Sequence, residues 1–318
     1  MSSKLVKMSM VGVIILMSYI KIVSATVITV GQSGADYDNF DDALDAAVNN
    51  DTVQFIDSET YSTTNAPSKV LSGFTVESVI GERATLYFAN ATGYSGNNWG
   101  MLIDGSDFTL NNMVIKSDRK YAIYSGTELV NPIITNVYFV MTEVTSGPVG
   151  VVTADGMDIS YCTFYGAGNT SVGGYGISWS ADTTITVNHC SFDNHMTGIY
   201  NGSGNASTLS VSNSVFGNWY DSKWMGGFTI DAVTATATED YNVSYGPRVF
   251  VRSGDLPKVT SGGHSVKAGT YDAVFTGNTL NGDWTVASGL YNAASDGTTI
   301  GAWQFVPEIP KGTIIIIE

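Results

Sequence analysis

A six-residue phrase occurs five times between Leu110 and Phe216, and no other feature narrows the fold as much. The copies are Leu110-Asn111-Asn112-Met113-Val114-Ile115, Ile134-Thr135-Asn136-Val137-Tyr138-Phe139, Ile159-Ser160-Tyr161-Cys162-Thr163-Phe164, Val187-Asn188-His189-Cys190-Ser191-Phe192 and Val211-Ser212-Asn213-Ser214-Val215-Phe216. The closing Ile or Phe recurs after 24, 25, 28 and 24 residues. Self-similarity at that period marks a solenoid, in which each repeat buries its face against its neighbours.

The first, fourth and sixth slots of the phrase hold apolar or small residues, where strict alternation would place the first, third and fifth inward. A bend at the third slot resets the phase. Asn fills that slot at Asn112, Asn136 and Asn213, and it tolerates left-handed backbone better than any other residue with a side chain. A second column, Ala122-Ile123, Gly150-Val151, Gly176-Ile177, Gly198-Ile199 and Gly227-Phe228, recurs between the phrases and predicts a third strand per coil. The pattern predicts an all-β parallel β-helix with three strands per coil, the second and fifth slots facing out.

Upstream, Thr26 to Gly31 reads as a strand, and Asp38 or Asn39 caps a short helix with Phe40, Ala43, Leu44, Ala47 and Val48 on one face. Such a helix shields the open first coil. We expect residues 26–51 to form this N-terminal cap, residues 52–239 the coils, and residues 240–318 a closing segment. That segment, with Trp284 and Trp303, is expected to cover the far end.

Residues 1–25 read as a secretory signal: Lys4 and Lys7, an apolar run from Met8 to Ile20, and Val23-Ser24-Ala25 as a cleavage site. The run falls short of the roughly 20 residues that span a bilayer, so no membrane span is expected after cleavage. Without those residues 11 basic and 29 acidic side chains remain, a net charge of −18. Such a chain repels nucleic acid and anionic membranes. Export would give meaning to the sequons at Asn50, Asn90, Asn169, Asn201, Asn205 and Asn242, each then expected at the surface as a glycosylation site. Cys162 and Cys190 share one slot on adjacent coils. Stacked strands lie about 4.8 Å apart, farther than the about 3.8 Å between disulfide-linked Cβ atoms, so two buried free thiols are expected.

The Ile28-Thr29-Val30-Gly31 opening with its helix, the Asn-bend coils, and the closing strands Gly282-Asp283-Trp284 and Ile300-Gly301-Ala302-Trp303 resemble the right-handed parallel β-helix superfamily of pectin lyase-like proteins. The resemblance implies the fold for most of the chain. It implies little about activity, because one fold hosts lyases, hydrolases, esterases and adhesins.

Chemistry-bearing groups are sparse. Lys116, Asp118, Arg119 and Lys120 form a mixed-charge cluster that reads as a solvated loop. Asp155 and Asp182 follow the Gly-aliphatic strand on neighbouring coils, with Asp231 further along; as a pair they are the candidates for catalysis or for holding Ca²⁺, or serve as turn residues. No cofactor is required. His189, His195 and His264 are scattered, with His189 in a structural bend slot. Tyr124, Trp179 and Tyr200, with Tyr121, Tyr175 and the loop residues Trp219, Tyr220 and Trp224 nearby, could stack on sugar rings or pack as loop cover. The stretch from Thr313 to Glu318, with four consecutive Ile, must dock on its own last coil or on a neighbouring subunit.

The sequence therefore predicts a secreted or cell-surface β-helix protein that contacts glycans or neighbouring surface components without catalysis. The alternatives are a polysaccharide lyase or glycoside hydrolase of the pectin lyase-like superfamily, and a subunit that assembles into a surface lattice or filament.

Overall fold

A computed structural model describes residues 25–63, 65, 67–89, 98–142, 147–166, 174–179, 182–195, 197–201, 207–217, 228–230, 235–245, 258–277, 279 and 283–302. These residues build a parallel β-helix with three stacked faces. The first face runs from Val27–Val30 through Thr52–Phe55 and Thr75–Ser78 to Thr236–Asp240 and Val259–Ser261, every neighbouring pair parallel. The second begins at Thr60–Thr63 and ends at Val266–Lys267. The third stacks seven strands from Ser68–Val70 to Phe228–Ile230. The stack does not stop at residue 239: two strands of the expected closing segment extend the first two faces by one more coil.

The bend between the first and second faces lies at the third slot of the phrase. Asn112, Asn136, Tyr161, His189, Asn213 and Tyr241 all have φ between 49° and 54°. This left-handed step turns the chain so that the first, fourth and sixth slots all enter the core. Leu110, Met113 and Ile115 are accordingly buried, as are their counterparts through Val211, Ser214 and Phe216. The sixth slots stack as a ladder: Phe139, Phe164, Phe192 and Phe216 lie 4.8, 4.9 and 4.8 Å apart between centroids, within 10° of parallel. On the third face Ile123, Val151, Ile177, Ile199 and Phe228 stand in register, as the second column predicted.

Glycine beside that column makes room for the Phe ladder. A Cβ on Gly176 would lie 2.6 Å from Cδ1 of Phe192, and one on Gly100 would lie 2.3 Å from Cδ2 of Phe88. The two cysteines are buried and free, as expected from strand spacing.

The N-terminal helix, α1 (Phe40–Ala46), is capped by Asn39, whose side chain accepts from the Asp42 amide. Phe40, Ala43, Leu44 and Ala47 are buried, and Phe40 stacks on Phe55 at 5.9 Å. Val48 is 47% exposed and lies outside this face, because the helix ends at Ala46 and the chain turns extended at Ala47.

The closing segment corrects an expectation. The described residues between 271 and 301 do not sit over the end of the solenoid but lie along its side. Trp284 packs edge-on to Tyr138 and Tyr165, at 5.7 and 6.5 Å, and Ser295 donates to the Asn213 side chain at 2.8 Å. The segment buries outward fifth slots: Val215 joins its apolar cluster, and Ser191 accepts from the Ala302 amide at 3.0 Å. Tyr138, half-buried there, is pushed up to about 12 by desolvation.

Candidate functional site

In the second coil the corner between the first and second faces is widened. Glu77 pairs with Asn111 and Thr85 with Val114, so the six residues from Ser78 to Arg83 stand where Asn112 alone stands one coil on. This turn rises as a wall. It is closed by Glu82 donating to the Val79 carbonyl and carries φ 92° at Gly81. Ile80 at its crest is fully exposed. Asn112 props the turn from below, donating to the carbonyls of Ser78, Val79 and Glu82 at 3.1, 3.1 and 2.9 Å.

Between this wall and the outward side of the first face lies a cleft of about 550 Å³, lined by Gln54, Glu77, Asn111, Asn112, Asn136 and the turn residues 78–81. Glu77 accepts from Gln54 at 2.8 Å and from Asn111 at 3.4 Å. Arg83 reaches along the bend column: its Nε donates to Asn112 Oδ1 at 3.4 Å and one Nη to Asn136 Oδ1 at 2.5 Å. Those two bonds use part of a five-donor fork. The remaining N–H groups are available to an anion, and a carboxylate takes them bidentately. The cleft itself offers one carboxylate, four side-chain amides and an exposed aliphatic rim; Arg83 stands outside its lining, bonded to two of the lining amides. That is a polar set able to orient a hydroxylated ligand. Sequence reasoning passed over it because the widened corner breaks the phrase; the signal was the departure itself.

The candidates read from sequence fall elsewhere. Asp155 and Asp182 do occupy neighbouring coils of one edge, and both are exposed. Asp155 accepts from the Thr184 amide at 2.9 Å, so its carboxylate caps the start of the next strand. Two carboxylates, one so engaged, fall short of the six to eight oxygen ligands of Ca²⁺. Among the described residues no group of three or more His, Cys, Asp or Glu is placed to hold a metal ion.

The cluster at 116–120 is not a solvated loop. Arg119 is buried and donates to the carbonyls of Ala89 and Trp99 at 3.0 and 2.8 Å, a bolt between coils, while Lys116 lies 4.8 Å over the Tyr87 ring. The Tyr87 hydroxyl donates to Asp118, and that bond pushes the phenol up to about 12. His189 is buried at its bend, as a structural residue. His195 is also buried; desolvation lowers it to about 4, so its neutral ring donates from Nε2 to the Phe164 carbonyl at 3.0 Å. His264 is exposed and stacks on Tyr241 at 4.4 Å.

Tyr124 and Tyr200 face outward on the third face but are half-buried among other rings. Tyr124 stacks on Trp99 at 5.5 Å and Tyr200 on Tyr175 at 4.4 Å. Trp179 ends a third-face strand, and its side chain lies outside the described residues, as do Trp219, Tyr220, Trp224, Asp231, Trp303, the signal segment and the stretch from Thr313 to Glu318. Of the sequons, Asn90, Asn169 and Asn205 also lie outside. Asn50 is exposed, but Asn201 and Asn242 are buried. The Asn242 amide donates to the Val211 carbonyl and accepts from the Ser214 amide, a coil-to-coil bolt rather than a surface position. Among the described residues no helix is long and apolar enough to cross a membrane.

The stacked faces, the bends and the helical cover define the class: a parallel β-solenoid with the pectin lyase-like fold. Among solved structures the chain is similar to a pectin methylesterase mutant in complex with a hexasaccharide, at TM-score 0.52 and 11% identity over 78% of this chain and 91% of that one. It also aligns with a pectate lyase at TM-score 0.48 and 12% identity, over 89% and 97% of the two chains. No described protein family and no curated protein matches the sequence. At these identities the likeness establishes the fold alone.

Proposed function

We propose that this is an extracellular polysaccharide-binding protein that takes an acidic saccharide in the cleft between Glu77 and the wall at 78–83. The observation that carries the reading is Arg83, which is not itself a lining residue but is held by Asn112 and Asn136, two residues that are, with donors to spare. A uronate carboxylate meets that fork, sugar hydroxyls meet Gln54, Asn111 and Glu77, and Ile80 covers an apolar ring face.

Turnover of the bound polysaccharide is the second reading. What favours it is the fold shared with a pectin methylesterase solved in complex with a hexasaccharide, an analogy of fold rather than of site. One experiment addresses both. Binding to polygalacturonate and to a neutral glucan is measured by titration calorimetry, with unsaturated-product absorbance, reducing ends and ester hydrolysis followed in parallel. Arg83→Gln is expected to weaken uronate binding about 10- to 100-fold, the equivalent of one charged hydrogen bond of about 1.5–3 kcal/mol. Equal affinities for wild type and variant would remove Arg83 and the cleft from the proposal. Product that survives the Asp155→Asn, Asp182→Asn double change but disappears in Glu77→Gln would locate turnover in the cleft.

A further inference from the structure

Farther along the first face a different surface appears. Three consecutive strands read hydroxyl, inward aliphatic, hydroxyl: Thr184-Ile185-Thr186, Thr208-Leu209-Ser210 and Thr236-Ala237-Thr238. The next coil adds Thr260. In register, Thr184 meets Thr208 and Thr236, while Thr186 meets Ser210, Thr238 and Thr260. Ile185, Leu209 and Ala237 are buried, which fixes the strands from behind. The six threonines are exposed and Ser210 is half-buried.

Threonine is common in strands, and one column of it says little. Two further observations set this array apart. In the adjoining outward column the polar side chains satisfy one another: Ser160 donates to Thr135 at 3.3 Å and Ser212 to Asn188 at 3.1 Å. The seven hydroxyls of the array make no side-chain hydrogen bond to any described residue. In a chain of net charge −15, the side chains of the array are uncharged, with Asp155 at the Thr184 amide, Asp158 above Thr186 and Lys258 below Thr236 standing at its edges. A neutral surface is matched to a neutral occupant.

The array is a lattice. Coils repeat about every 4.8 Å along the axis, and hydroxyls two residues apart on a strand lie about 6.6 Å apart across it. The backbone is hydrogen-bonded on both sides, and β-branched Thr is stiff at χ1, so the hydroxyls hold these periods without being ordered by a ligand. Each hydroxyl offers one donor and two acceptor positions to water, and each methyl sits beside it as a non-bonding spacer. Both periods come near the oxygen repeats on a prism face of hexagonal ice.

From this match we infer that the surface spanned by Thr184, Thr186, Thr208, Thr236, Thr238 and Thr260 binds ice, the occupant being the crystal lattice itself. This activity is independent of the cleft. The test uses the intact protein in nanolitre osmometry, with partition into a growing ice hemisphere as a second readout. Wild type is expected to facet the crystal, open a gap between melting and growth, and enter the ice. Thr208→Tyr and Thr238→Tyr, both at exposed positions and checked for folding by circular dichroism, are expected to reduce the gap several-fold. Thr60→Tyr, exposed on the second face, and Arg83→Gln are expected to leave it unchanged. Rounded crystals with no gap for wild type, exclusion from the ice, or full activity in both array variants would each overturn the inference. So would a neutral glucan that binds the array, is lost in Thr208→Tyr, and leaves ice untouched.

Discussion

The His189 ring, at the left-handed bend of its coil, lies 3.0 Å from the Asp296 carboxylate in the segment that folds back along the solenoid. Its other nitrogen faces the Thr299 carbonyl at 3.2 Å, and its plane stacks on Tyr161 at 5.0 Å. One buried imidazole thereby fastens the returning segment to the coils.

Asp296 is held down to about 2, first by the Thr298 hydroxyl and backbone amide and further by His189. A depressed carboxylate contributes stability that is complete above its ordinary value and is lost as pH falls through the folded one. Between about pH 4 and about pH 2 the segment around Asp296 should therefore loosen before the coils do. Hydrogen exchange of the 290–301 amides checks this: protection should fall across that interval in wild type and be nearly flat in Asp296→Asn. Equal protection at both ends of the interval in wild type would count against the fastening role.

The contact between Gly176 and Phe192 sets how the third face meets the Phe ladder. Gly176→Ala should cost about 1–3 kcal/mol, since the added methyl meets a ring flanked by two others. Adding Phe192→Leu should return part of that cost, with a coupling of about 0.5–3 kcal/mol in a double-mutant cycle. Denaturant melts of the four proteins measure it; strict additivity would show that the glycine is there for another reason.

Asn112 has two separable duties, a left-handed backbone and an amide that holds the wall of the cleft. Asn112→Gly keeps the first and loses the second, while Asn112→Ala loses both. The alanine variant should be less stable than the glycine variant by about 1–2 kcal/mol, the cost of left-handed backbone for a residue with a Cβ. Both should weaken saccharide binding, because Arg83 loses one of its two amide acceptors. Equal melts for the two variants would mean that the bend relaxes freely.

The sequence carried the scaffold because a solenoid writes its packing in a repeat. The bend at Asn112 and Asn136, the inward Leu110 and Phe139 and the Gly-aliphatic strand at Gly176-Ile177 all follow from slot and period. The cleft was not legible. Its wall at Ser78–Arg83 lies where the phrase fails, and Arg83 finds its partners 29 and 53 residues away. Period also says nothing about where an unrepeated segment will lie, so the side-on docking of Trp284 against Tyr138 could not be read from it. Arg119 misled for a related reason: a charged run looks solvated until the carbonyls of Ala89 and Trp99 are known to face it.

The widened corner has a consequence for how such a chain changes. Six residues replace one between the first two faces, yet Thr75 still pairs with Thr109 and Thr85 with Val114, in unbroken register. Length added at a corner is absorbed without shifting a single core side chain. Corners are thus the positions at which insertion and recombination can rewrite what the molecule recognises while natural selection leaves the stack beneath untouched.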